Sequence, residues 1–565
     1  MLKKTLFIIY LIAICLSSGY SKELTGITTH FNSGIDISVK SRFSEIQIGS
    51  MCPIIVEIKN YTKSSESWNI QFKTSYNWNY QPSYTKYGEM TVDAGKSKTF
   101  EFLVPMLNSE HNQYSRVMMK INLNGYGIKR NEINENYNFN PRLPSMLMSE
   151  KLRDIGNSIK NHAEKPSRSS HGNVPLCYFS QGGLGTNWLG FSSFTSVWLT
   201  AFEYQSIQTD SYNALKKWIA MGGHVFVVTK SLKKTEAHGF GYIEHIPQQM
   251  VEKQTSQIIT KIKGISPNTS ARPRMTNWST ELTKELKPIE SKPFLFSLLT
   301  AIIGIIIGPI NMFLYCRRKR MRIVFTTPLI SIVTSLILII FIIFQDGIGG
   351  NGFRSTLVLT LPEEHLSVKM QDQVSTSGLV IGSSFNAPEN TLVMPIHLDG
   401  SSVRHSNKNF NTWNNNYSGD WFNSRNQQAQ KLQTIIPSRG KIDIQIDKKG
   451  TSASIQALSS IEDSLDNFYY LDKSNQWWYA EKLRTGEKAK LSKTTQDKFI
   501  HWITKNEAYY DYPTTTLLAK ITKRKGYYFA TSTTEKAAIE NFTSFNWQHL
   551  LTLYTGPTVE SEVNR

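Results

Sequence analysis

Two apolar runs dominate the pattern of hydrophobic and polar positions. FLFSLLTAIIGIIIGPINMFLY (294–315) and IVFTTPLISIVTSLILIIFIIF (323–344) are 22 residues each, and neither contains an ionisable acid or base. A helix of that length rises about 33 Å, enough to cross a hydrocarbon core of about 30 Å, so the pattern predicts transmembrane helices over 293–315 and 323–344. The intervening CRRKRMR (316–322) carries Arg317, Arg318, Lys319, Arg320 and Arg322. One such charge at mid-bilayer costs roughly 2.5–3.5 kcal/mol, which places this turn in water, and the excess of basic residues places it on the cytoplasmic side. In the first run Gly304 and Gly308 stand four apart, a small-xxx-small pair that predicts close packing on the second run. Pro309 and Asn311 predict a kink or a hydrated point in its cytoplasmic third.

Outside these runs the period changes twice. From 22 to 123, IDISV (35–39), IIVEI (54–58), NIQF (69–72), TFEFLV (99–104) and VMMKINL (117–123) alternate at period two between turn residues. This predicts an N-terminal β-sandwich of immunoglobulin-like type. Residues 124–144 are Asn-rich and read as a linker. From 145 to 263, helical and strand patterns alternate: VPLCYF (174–179), SVWL (196–199), then a helix over 210–223 closed by Gly222 and Gly223, then HVFVV (224–228). Such alternation predicts an α/β domain of flavodoxin-like type with a parallel sheet. Residues 264–292 read as a tether with Pro267, Pro273 and Pro288. From 345 to 565, TLVLTL (356–361), LSVKM (366–370), KIDIQI (441–446), QWWY (476–479) and GYYFA (526–530) predict a C-terminal β-rich region, with a short helix at QDKFIHWI (496–503) and a long exposed loop from His405 to Gln433.

Composition refines this picture. A chain of 565 residues with 28 Phe, 25 Tyr and 12 Trp can fill several cores. The formal charge of +19 is spread among acids, Ser and Thr without a compact basic stripe, which argues against nucleic acid as a partner and favours contact with anionic lipid or polymer. Residues 1–21 read as a secretory signal: Lys3 and Lys4, an apolar core from Leu6 to Leu16, then small and polar residues. Ile14 stands where a lipoprotein signal at Cys15 needs a small residue. Only Cys52 and Cys177 remain outside the signal and the basic turn, so stability rests on cores rather than disulfides.

NWLGFSSFTSVWL (187–199), WIAMGG (218–223) and GPIN (308–311) resemble a family of largely uncharacterised bacterial envelope proteins. The resemblance runs in order over roughly residues 30–555. It implies a β-sandwich, a class I glutamine amidotransferase-like domain, a transmembrane hairpin and a C-terminal β-rich region, located at the bacterial inner membrane with both large parts outside the cytoplasm. It implies no activity.

Few residues stand in a pattern that carries chemistry. Class I amidotransferases set their nucleophile in a G-x-C-x-G elbow; Cys177 lies inside an apolar strand without flanking Gly and reads as a buried thiol. QGGLG (181–185), with Gly182, Gly183 and Gly185, and the nearby Trp188 form the candidate ligand or interface segment, where free amides after a strand could face an anion. His224, His238 and His245 lack metal-site spacing, Glu363 and Glu364 read as solvated surface, and no cofactor is expected. The aromatic group Trp68, Tyr76, Trp78, Tyr80, Tyr84 and Tyr87 fits either a sugar-stacking platform or, more commonly, core packing. The pattern points to a non-catalytic, membrane-anchored protein presenting binding domains to an envelope protein or polymer. Its alternatives are an envelope hydrolase with an unrecognised site and an accessory subunit of a transport complex.

Overall fold

A computed structural model describes residues 23–24, 26–46, 49–76, 83–106, 115–139, 145–163, 176–180, 183–230, 234–253, 280–286, 293–315, 321, 323–396, 408–447, 454–540 and 542–562. The signal segment 1–21 and the basic residues Arg317, Arg318, Lys319, Arg320 and Arg322 lie outside the described residues. Strands predominate and are arranged in five sheets.

The expectation of an immunoglobulin-like sandwich confined to residues 22–123 is corrected: two sheets pack face to face there, but strands from far along the chain join them. An eight-stranded sheet runs in the order Ile27–Thr29, Ile128–Phe139, Ser115–Gly125, Glu66–Tyr76, Ser83–Val92, Asn409–Trp413, Asn416–Gly419, Phe385–Asn386. Its inner face alternates cleanly: Trp68, Ile70 and Phe72 are buried at every second position, as are Val117, Met119 and Ile121. They pack on the three-stranded sheet of Ile35–Ser41, Met51–Asn60 and Ser97–Pro105, where the Phe72 and Phe102 rings lie 5.4 Å apart. The Ser83–Val92 strand would leave an open row of peptide groups, and the distant Asn409–Trp413 strand pairs with it in parallel, Thr85 opposite Asn411. The sandwich is therefore composite. The Asn-rich linker reading at 124–144 is corrected too: Ile128–Phe139 is a strand with Ile133 and Tyr137 turned inward.

The middle of the chain builds a six-stranded sheet. Met146–Ser149, Leu176–Phe179, Ser196–Thr200, His224–Thr229 and Gly241–Pro247 run parallel, and Glu236–His238 closes one edge antiparallel. Met146, Met148, Trp198 and Phe226 fill one face beneath the Arg153–Ala163 helix. On the other face Leu147, Cys177, Val197 and Val225 merge into one core with the sandwich and the C-terminal sheet. The expectation of a flavodoxin-like, amidotransferase-like domain is corrected by that sharing. The Ala201–Gln205 and Thr209–Ala220 helices are too few to close this face, so β-sheet from elsewhere completes it, and the chain as a whole is β-rich.

The C-terminal region is a nine-stranded sheet flanked by a four-stranded one. The Gln496–Glu507 and Tyr512–Ile521 helices pack against it, Trp477 stacking on Phe499 at 3.9 Å. The exposed loop expected over His405 to Gln433 is corrected: that stretch contains two strands and the start of a third, Gln427–Pro437, which is almost wholly buried within the large sheet. The tether reading over 264–292 meets a short helix, Thr280–Lys284, whose Leu282 is buried against Val374 and Ile396.

Among the described residues one helix is long and apolar enough to cross a membrane: the 19 residues Ile323–Phe341, within Ile323–Asp346, have a mean hydropathy of 2.5. The other predicted span is corrected. Pro293–Ile305 is α-helical, but Ile306–Tyr315 continues as wider π-helical turns containing Pro309. Proline lacks the N–H that the α-helical ladder needs and its ring opposes the preceding turn, so the regular helix stops after 13 residues, about 20 Å. A multi-pass arrangement accordingly loses its second full-length span.

Candidate functional site

The segment singled out in the sequence sits at a seam. Gly182 lies outside the described residues. The Gly183 N–H donates to the Ser180 carbonyl at 2.8 Å, closing a tight turn after the Leu176–Phe179 strand. Leu184 is buried, and its carbonyl accepts from the Ser211 hydroxyl at 3.0 Å. Gly185 faces Arg42 and Glu101 of the sandwich, which form a two-pronged ion pair with both nitrogen–oxygen distances at 2.8 Å. Trp188 is buried in a short helical turn, Trp188–Phe191, capped by Asn187. Close by, the Ser192 hydroxyl accepts from the Met51 N–H at 3.3 Å and the Ser193 hydroxyl donates to the Met51 carbonyl at 2.9 Å. The Cys177 thiol donates to the Glu45 carbonyl at 3.2 Å, and neither it nor Cys52 enters a disulfide. These residues hold the sandwich onto the parallel sheet.

A second polar group, invisible in the sequence, lies inside the C-terminal part. Asp372 and Lys431 stand directly opposite each other on neighbouring antiparallel strands. The Lys431 ammonium, 5% exposed, donates to Asp511 at 2.6 Å and to the Thr514 hydroxyl at 2.8 Å, and lies 3.7 Å from Asp372. Asp511 also caps the Tyr512–Ile521 helix by accepting from the Thr514 N–H at 2.9 Å, while its own N–H donates to Asp372 at 3.0 Å. Burial, with the neighbouring Asp511 charge, pushes the Asp372 carboxyl up to about 7 against the pull of Lys431, whose own ammonium is raised. Gln371, Gln373 and Gln430 extend this interior polar layer through mutual hydrogen bonds of 2.9 and 3.0 Å. The bonds of Lys431 to Asp511 and of Gln373 to Gln430 tie neighbouring strands and a helix cap together.

A third group joins two sheets. The Glu364 carboxylate accepts from Lys216 at 2.8 Å and faces His238 at 3.4 Å. Burial would raise this carboxyl, but the bonds from His238 and Lys216 outweigh it and hold it at about 2. Glu364 is thus a bridge rather than a solvated surface acid. His224 and His245 face other carboxylates, Glu244 at 3.5 Å and Glu236 at 3.9 Å. Among the described residues no group of three His, Cys, Asp or Glu side chains is placed to hold a metal.

In the apolar region a Cβ built on Gly304 or Gly308 meets nothing within 4 Å, so neither glycine lies at a close helix contact. A polar contact joins the two helices: the Asn311 amide donates to the Thr327 hydroxyl at 3.0 Å.

The outer face of the eight-stranded sheet is open to water and carries a cross-strand row. Asn122, Gln71, Tyr87 and Trp413 occupy successive strands at matched register. The Gln71 amide donates to the Tyr87 hydroxyl at 3.4 Å, Asn122 donates to Gln71 at 3.5 Å, and the Tyr87 and Trp413 rings stack at 6.2 Å. Trp68 and Tyr84 of the aromatic group face the core; Trp78 and Tyr80 lie outside the described residues. Trp413 has no sequence signal of its own, because its strand is five residues long, holds Asn409 and Asn411, and runs straight into Asn414, Asn415 and Asn416.

No family profile matches this chain, and no curated protein does. Among solved structures, a similarity to the Northeast Structural Genomics Consortium target SoR45 covers 19% of this chain and 88% of that one at 8% identity, TM-score 0.14. A Bacteroides uniformis β-glucuronidase matches over 42% of this chain and 33% of its own length at 10% identity, TM-score 0.16. A Paenibacillus sp. cycloisomaltooligosaccharide glucanotransferase matches over 73% of this chain and 70% of its own at 7% identity, TM-score 0.16. Superposition at this level carries no argument about function.

Proposed function

We propose that the protein is a membrane-anchored envelope protein that presents folded binding domains to a protein or polymer partner without carrying out a reaction. The observation that carries this reading is the Ile323–Asp346 helix, whose Leu329, Ile332, Leu336 and Ile339 all face outward, uncovered by the rest of the chain. Exposed apolar surface on that scale is stable only in lipid or against a partner. The parallel pairing of Ser83–Val92 with Asn409–Trp413 supports a further part of the reading. Strands on opposite sides of a bilayer do not pair, so the parts before and after the apolar region share one compartment. The secretory character of residues 1–21 supports the extracytoplasmic face of the bacterial inner membrane as that side. The polar group around Lys431 ties two strands to a helix cap, and that around Glu364 joins two sheets, which favours a scaffold over a catalyst.

The test is in-cell crosslinking followed by purification in mild detergent, combined with carbonate extraction and protease access to a tag after Arg565. Retention in the membrane, digestion of the tag only from outside, and a recurrent crosslinked species are expected. A chain released by carbonate, or a tag cut only from the cytoplasmic side, would overturn the proposal.

A further inference from the structure

The chemistry of the outer sheet face identifies a ligand class, deepening the binding role proposed above. On this face Asn69, Gln71, Asn122, Asn411 and Asn416 surround the Tyr87–Trp413 pair. Trp413 is 46% exposed, although a tryptophan on a sheet ordinarily gains by facing the core. Its position is fixed rather than incidental. The Asn409–Trp413 and Asn416–Gly419 strands form a hairpin whose turn residue Asn414 takes φ 50°, and the Lys86 ammonium holds the Asn414 carbonyl at 3.2 Å.

Charge decides between partners. Among the side chains described on the face, Lys73, Lys120 and Arg130 stand against Glu89 and Glu132, the Lys120–Glu132 pair meeting at 2.7 Å, an excess of one positive charge on a chain that carries +19 overall. A near-neutral face is a poor match for an anionic polymer. Two aromatic rings among amides are likewise too small an apolar area for the centre of a protein interface. Each amide side chain offers both donors and an acceptor, as a sugar hydroxyl does, and an exposed indole presents a flat apolar surface to the C–H face of a pyranose. We infer that the Gln71–Tyr87–Trp413 row is a binding platform for a neutral glycan, sugar rings lying on Trp413 and Tyr87 and hydroxyls bonding to Gln71 and the flanking asparagines.

The experiment titrates the purified full chain, in mild detergent, with soluble hexamers of β-1,4-glucose and of β-1,4-N-acetylglucosamine, read by calorimetry and tryptophan fluorescence. Saturable binding to at least one hexamer is expected. Trp413→Ala should weaken it by about tenfold or more, equivalent to about 1.4 kcal/mol, and Trp413→Phe by about threefold or less. Gln71→Leu, which keeps the shape and removes the amide, should also weaken it, and an unchanged melting temperature in each variant shows that the fold persists. Absence of heat and of quenching for both hexamers at about 10 mM, or equal binding by Trp413→Ala, would overturn the inference. Failure here with a crosslinked partner still captured in cells removes the glycan and leaves the anchored binding role. Hexamer binding by a chain that carbonate releases from membranes keeps the glycan site and removes the anchor.

Discussion

Replacing Lys431 by Met tests whether the interior polar layer holds the C-terminal part together. Methionine nearly matches the volume of lysine, so the change isolates the charge. It removes the 2.6 Å bond to Asp511 and the 2.8 Å bond to Thr514, and strands Asp372 and Asp511, both 2% exposed, with no opposing charge. Removing one member of a buried ion pair costs about 3–5 kcal/mol, most of it the uncompensated charge left behind. Lys431→Met should therefore lower unfolding stability by that amount, measured by urea titration of the full chain in detergent with tryptophan fluorescence. Neutralising the two acids as well (Lys431→Met, Asp372→Asn, Asp511→Asn) should recover most of the loss, since the asparagine replacing Asp511 would still cap the Tyr512–Ile521 helix. The pH dependence has a definite sign. Asp372 has a folded pKa raised to about 7 from an ordinary 3.8, so it binds its proton more tightly when folded, and its contribution to stability declines as pH rises from about 4 to 7. Asp372→Asn should gain stability relative to the parent chain across that window. A loss below about 1 kcal/mol for Lys431→Met, or a triple variant no better than the single one, would refute a charge-based account.

Glu364→Gln should loosen the junction between the parallel sheet and the C-terminal sheet by about 1 kcal/mol or less, because the group is partly open to solvent. The Glu364 carboxyl is held low, so its contribution is present above pH about 4.5 and disappears as pH falls toward about 2; urea midpoints of parent and variant should converge over that range. Gly241→Ala would set a Cβ against the carbonyl oxygens of Gly223 and Ile219, backbone atoms that no rotamer change can move, and should cost about 3 kcal/mol, checked by thermal melting. In the anchor, Ile332→Asp with Leu336→Asp places two charges mid-helix at roughly 2.5–3.5 kcal/mol each and should shift the chain out of the carbonate-resistant membrane fraction; unchanged partitioning would refute the anchoring role.

What local pattern can reveal is set by periodicity. The strands with strong alternation, such as ESWNIQFKTSY at 66–76, are legible because a sheet with one wet face imposes period two. The parallel strands around HVFVVT and the helix Thr209–Ala220 are legible for the same kind of reason. Ile128–Phe139 reads as a linker because its inward residues Ile133 and Tyr137 are set among asparagines and charges. Gln427–Pro437 hides for the opposite reason: half of its buried positions are glutamines and a lysine, and Gln430 and Lys431 among them bond to Gln373, Trp421 and Asp511. Of the candidate segment, the turn at Gly183 and Trp188 is visible as a motif, whereas its place against Arg42 and Met51 depends on contacts some 140 residues away in the chain.

By itself, the sequence determined where apolar residues recur, and so many of the strands and helices and the two long apolar runs between 294 and 344, because burial and hydrogen bonding act on neighbouring positions; that only one of those runs forms a full-length helix was left to the structure. Tertiary structure alone decided that residues 409–413 complete a sheet begun at 66–92, that Asp372, Lys431 and Asp511 meet in the interior, and that Trp413 stands beside Tyr87 on a wet face. Such pairings are set by complementary edges and charges brought together from distant positions, and no local period records them.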